Sequence, residues 1–141
     1  MSKAFALIVA LFALFVVSAQ AGEPHKLALQ ISDNTPEKMN AVLNVAANVS
    51  KYYSDKGQEV EIQIVAFNAG LHMLRDDTSP VKPRLKSFKQ SMPNVSFIAC
   101  DNTLHSMTRN EGNEPPLVEH VEAGVIRLIE LAEKGWTIVR P

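Results

Sequence analysis

The sequence predicts an α/β domain built on a mostly parallel sheet with helices on both faces. Two observations carry this. Strand-like runs take turns with segments whose apolar residues recur at helical spacing, in the order β-α-β-α-β-α-α-β. The run VEIQIVAF at 60–67 begins with alternation and finishes apolar, as a strand entering a covered sheet does.

The first strand is HKLALQI, His25–Ile31. A polar turn at 32–35 comes next, with Thr35 placed as an N-cap and Pro36 at the first helical position, where a missing N–H is harmless. Met39, Val42, Leu43, Ala46, Val49 and Tyr53 then share one helical face. Gly57, just after Lys56, suits the left-handed residue that ends a helix. The second strand runs to 67 and is broken by Asn68-Ala69-Gly70, after which 71–76 reads as one helical turn. Residues 81–90 form a short helix between prolines, with Lys82, Arg84, Lys86 and Lys89 as a solvated basic face. Met92-Pro93-Asn94 turns the chain into a third strand, 95–99, that ends at Cys100. Asp101 or Asn102 caps a short helix through Met107, and NEGNEPP at 110–116 is loop by composition. Residues 117–134 read as one long helix. Its core stripe is Val118, Val121, Val125, Leu128 and Ala132, with Gly124 beside it permitting close approach to a strand and Ile126 off the stripe. Gly135 ends it, and WTIV at 136–139 is the last strand.

The chain has 141 residues and a formal net charge of −1, so no global field favours nucleic acid. It opens with Met1-Ser2-Lys3, an apolar run over 4–17, and Ser18-Ala19-Gln20-Ala21. The run is shorter than the roughly 20 residues that span a bilayer, and small residues stand at the two positions a signal peptidase reads. The expectation is a cleaved export signal at 1–21, no stable membrane anchor, a periplasmic or secreted product, and a single domain at 22–141. One cysteine excludes an intrachain disulfide.

Ligands of open parallel sheets sit beyond the carboxyl ends of the strands, here 32–35, 68–72 and 100–105. Cys100 closes a strand where a helix starts, and unpaired N–H groups at such a start lower a thiol pKa and enrich the nucleophilic thiolate. It is therefore expected to be accessible and more acidic than an ordinary thiol. The alternatives are a packed core cysteine and a copper ligand with His105 and Met107, which His72 and Met73 approach. The candidate catalytic residues are Cys100, His105 and His72, and the candidate ligand-binding residues are Asn68, Gly70, Asp101 and Asn102. His25 and His120 carry no signal beyond tail and helix surface. No phosphate loop, nucleophile elbow or zinc-protease helix is present, and no metal or cofactor is assigned.

Three stretches then carry a resemblance: strand-Ala-Cys-Asp-Asn-Thr-Leu ending at Leu104, Val121-x-x-Gly124-Val125-x-x-Leu128, and Glu133-x-Gly135-Trp136-x-x-x-Arg140-Pro141. Together with Ala66-Phe67-Asn68-Ala69-Gly70-Leu71 they resemble the DsrE/DsrF-like family over about Lys26 to Pro141. The resemblance implies a three-layer α/β/α fold, assembly into homo-oligomers (trimers or hexamers), and sulfur transfer through a cysteine persulfide between partner proteins. Cys100 matches a cysteine common in exported members. The expected product is an exported sulfur-handling protein that carries sulfane sulfur on Cys100, exchanges it with a thiol protein, and moves the proton through His105 or His72. The alternative is a non-enzymatic, oligomeric module that binds a small ligand or copper.

Overall fold

The computed structural model describes residues 22–108 and 118–141, so the expected export signal at 1–21 and the loop at 110–116 lie outside it. The strands are β1 (His25–Ile31), β2 (Val60–Ala66), β3 (Val95–Cys100), β4 (Glu119–Val121) and β5 (Thr137–Val139). They form one sheet in the order β4-β3-β2-β1-β5, and every pair is parallel. The helices are α1 (Pro36–Asp55), α2 (Lys82–Ser91), α3 (Asp101–Thr108) and α4 (Gly124–Glu133).

The strand order places the helices. From β1 to β4 each crossover steps the same way across the sheet, and right-handed crossovers then keep α1, α2 and α3 on one face. The return from β4 to β5, past β1, puts α4 on the other. The core divides accordingly. Met39, Leu43, Leu85, Phe88 and Leu104 pack with Leu29, Ile31, Ile62, Ile64 and Phe97 on the first face. Leu128 and Leu131 pack with Ala28, Val65, Phe67, Ile98 and Cys100 on the second. Side chains alternate along a strand, so Ala99 and Cys100 belong to opposite layers. The result is the expected α/β/α sandwich.

Local chemistry fixes α1 as expected. The Thr35 hydroxyl accepts from the Lys38 N–H at 3.3 Å, Pro36 is the first helical residue, and Met39, Val42, Leu43 and Ala46 are buried. The basic face of α2 is only partly solvated. Arg84 donates to the side-chain oxygens of Asn40 at 2.6 Å and Asn44 at 2.9 Å, tying α2 to α1.

Two expectations are overturned. The turn foreseen at 71–76 is a 3-10 turn at Asn68–Met73, begun earlier because Asn68 adopts φ +48°. Asparagine tolerates that left-handed backbone better than most residues. The long helix over 117–134 is instead strand β4 followed by α4, with residue 117 outside the described chain. Val118, Val121 and Val125 happen to keep helical spacing, but Val121 pairs with Cys100 in the sheet and Val125 is exposed. The buried face of α4 is Gly124, Leu128 and Leu131, not Val125, Leu128 and Ala132. Smaller shifts move the end of β2 to Ala66, the end of β3 to Cys100, the start of β5 to Thr137 and the bounds of α2 by one residue.

Two glycines let the layers close. A Cβ on Gly124 would lie 2.9 Å from the Phe67 ring, so the foreseen close approach is real. A Cβ on Gly70 would overlap the Ile31 carbonyl oxygen and lie 2.8 Å from the Ser32 Cα. Those atoms are backbone and cannot swing aside. Gly70→Ala is therefore expected to cost about 1–3 kcal/mol, as overpacking does, and more than Gly124→Ala, which displaces a side chain. Chemical denaturation of the two variants checks the ranking.

Candidate functional site

The site lies where β2 and β3 end. Cys100 is the last residue of β3 and Asp101 the first of α3, with nothing between. The strand thus delivers its final side chain directly beneath the free N–H groups of a helix. β4 ends in register beside it, Cys100 opposite Val121, and the chain turns through Glu122 and Ala123 into α4. Two helix starts consequently converge on one sulfur. The turns are fastened together by the Asn102 N–H, which donates to the Glu122 carbonyl at 3.1 Å.

Cys100 is 5% exposed. Burial pushes its thiol pKa up. Hydrogen bonds from the Thr103 hydroxyl and from the N–H groups of Gly124, Thr103 and Asn102 outweigh that and hold the thiol below its ordinary value. The neutral thiol has a weaker alternative, the Glu122 carbonyl 3.9 Å from Sγ. Thr103 is itself buried, and its oxygen accepts from the Asn68 N–H at 3.0 Å. That bond joins the sulfur's surroundings to the turn after β2, where Asn68 holds its unusual backbone.

Cys100 forms part of the wall of a cavity of about 510 Å³ lined by Phe67, Asn68, Ala69, His72, Cys100, Asn102, Thr103, Ser106, Met107, Ala123, Gly124 and Val125. Cys100 is thus buried at a cavity wall, where an accessible thiol was expected. Of the foreseen site residues, Cys100, His72, Asn68 and Asn102 come together here. His72 is oriented by Thr78, whose hydroxyl lies 2.8 Å from Nδ1. His105 is exposed on α3 and outside the lining. Gly70 is buried against the end of β1 and serves packing. The Asp101 carboxylate is taken by His120, Nδ1 to Oδ1 2.7 Å, and does not line the cavity. The copper set is also divided: Met107 lines the cavity while Met73 is fully buried in the core. Among the described residues no three His, Cys, Asp or Glu side chains are grouped to hold a metal ion.

Sequence reasoning missed Thr103, Gly124 as a donor, and His120. Thr103 carried a usable signal, since a hydroxyl three residues after Cys100 lies in the same helical turn. His120 carries none, because the helical spacing over 117–134 puts it on a solvated face. A second cleft, of about 390 Å³, lies under α2 between Leu74, Leu85, Phe97 and Val118, with Lys82, Lys86 and Lys89 at its side. Its lining, among the described residues, holds no cysteine or imidazole.

Thr103→Val, which removes a hydrogen bond to a charged sulfur, is expected to raise the pH at which Cys100 alkylation inflects by about one unit. Linkage gives a second expectation. Because the folded-state pKa is depressed, the thiolate's contribution to stability is fully present above the ordinary thiol pKa and is lost as pH falls through the folded value. Wild-type protein should therefore gain stability over Cys100→Ser as pH rises across that window, which denaturation at a series of pH values measures.

No family model matches the chain, and no curated protein matches it. Among solved structures it is similar to the protein of unknown function MTH1491 from Methanobacterium thermoautotrophicum, at 22% identity and a TM-score of 0.72. The alignment covers 83% of this chain and 99% of that one. A likeness at that identity establishes the fold, a parallel α/β/α sandwich, and carries no activity.

Proposed function

We propose that the protein handles sulfur through Cys100, holding a sulfane sulfur as a persulfide and passing it to an acceptor thiol. The observation that carries this is the convergence of the α3 and α4 starts on the only cysteine in the chain, at the wall of a cavity. The Cys100 thiolate attacks the terminal sulfur of a polysulfide. A Cys–S–S⁻ bond forms, the donor's S–S bond breaks, and the donor leaves as a dianion one sulfur shorter. An acceptor thiolate then attacks the outer sulfur, takes it, and restores the Cys100 thiolate. The same N–H groups that stabilise the thiolate stabilise each anion in this exchange. His72, in the cavity lining, would take the acceptor's proton; His105 has no part in this proposal. The resemblance to DsrE/DsrF-like proteins supports the same chemistry, and export would set it in the periplasm.

The test is intact mass after incubation with polysulfide. Wild type should gain about 32 Da per sulfur held, reversibly on adding thiol, and Cys100→Ser should gain nothing. A site that binds small ligands without turnover would show no such gain.

The protein is also proposed to self-associate. Val125, Ile126 and Ile129 are half exposed on neighbouring turns of α4, an apolar strip beside the cavity that supports a contact between copies. Light scattering should give a multiple of the monomer mass, and Ile126→Lys should lower it.

A further inference from the structure

The cavity's anion-stabilising groups come from two separate segments, the first turn of α3 and the entry to α4, and their relative position is set at β4. That strand is three residues long and pairs with β3 through Ile98, Ala99 and Cys100. So short a ladder is a weak clamp by itself. Two further bonds join it to α3. One is the Asn102 N–H to the Glu122 carbonyl, 3.1 Å. The other is His120 Nδ1 to Asp101 Oδ1, 2.7 Å, with each side chain about one-third exposed.

The second bond straddles the site. Asp101 comes directly after Cys100, and His120 precedes Val121, the sheet partner of Cys100. His120 is paired with Ala99, and alternation turns its imidazole to the face opposite the sulfur. It therefore acts on Cys100 only through the backbone. We propose that His120 is a positioning residue: by holding the Asp101 carboxylate it locks the first turn of α3 against the end of β4, so that the N–H groups of Asn102, Thr103 and Gly124 stay aimed at one sulfur. This rests on the reading of Cys100 as a working thiolate. It assigns to His120 and Asp101 a role that neither residue type nor spacing reveals.

The experiment measures iodoacetamide alkylation of Cys100 against pH by intact mass, with thermal unfolding alongside, for full-length wild type, His120→Ala and His120→Asn. Asparagine keeps a donor for Asp101 but carries no charge. His120→Ala is expected to move the inflection up by about half a pH unit, a roughly threefold slower reaction at neutral pH, as the loss of one helix-terminus interaction does. His120→Asn is expected to restore the wild-type inflection. If His120→Ala lowers only the melting temperature and leaves the inflection in place, the role is structural and the proposal falls. If asparagine fails to restore what alanine removes, the imidazole acts by its charge and the proposal also falls. His120→Leu, which keeps volume without a donor, replaces the alanine variant should that one not fold. Wild type that alkylates with a depressed inflection yet takes up no sulfur would sink the carrier function while leaving the positioning role standing. Wild type that alkylates only when unfolded would overturn both.

Discussion

The site depends on β3 and β4 ending together. Cys100 and Val121 are partners across the last rung of the sheet, and from that rung one chain enters α3 at once while the other turns into α4. Were β4 one residue out of register, the Gly124 N–H would no longer reach the sulfur and Val121 would face the wrong layer. The bond from Asn102 to the Glu122 carbonyl fixes that register from outside the ladder. The acidity of the thiol is thus a property of topology. A parallel sheet collects the carboxyl ends of its strands on one edge, and those ends are where helices present unpaired N–H groups.

The packing beneath the edge is built to let this happen. Gly70 lets the turn after β2 lie on the end of β1, and Gly124 lets α4 begin against Phe67. Thr103 links the layers from within, receiving the Asn68 N–H and donating to Cys100. A buried hydroxyl used in both senses is satisfied and also rigid. The cost of burying Cys100 is met locally by hydrogen bonds, with no lysine or arginine among the described residues of the cavity lining.

Much of this was legible in the sequence. β1 forms over the residues its apolar run indicated, Thr35 and Pro36 start α1, and Cys100 closes β3 where polar residues come next. These are local signals, each set by chemistry within a few residues. β4 was not legible, because a three-residue edge strand, with Glu119 and His120 exposed, is too short to show a period of two. The valines at 118, 121 and 125 fit a helical spacing equally well, and only the presence of β3 alongside decides the matter. Losing β4 meant losing the α4 start, and with it Gly124 as a donor and His120 as the partner of Asp101. His105 is the converse case. Four residues after Asp101 on α3, it was near Cys100 in sequence but lies outside the cavity wall. The likeness to MTH1491 supports the architecture and is silent on this edge.

The folded protein is expected to make Cys100 more reactive, not less, despite burying it. The most direct test compares the rate of iodoacetamide reaction at neutral pH in the native protein with the rate in denaturant. Native Cys100 is expected to react through the cavity and at least as fast as the unfolded chain, because a larger share of it is thiolate. Reaction that begins only on unfolding would contradict it and leave Cys100 as core packing.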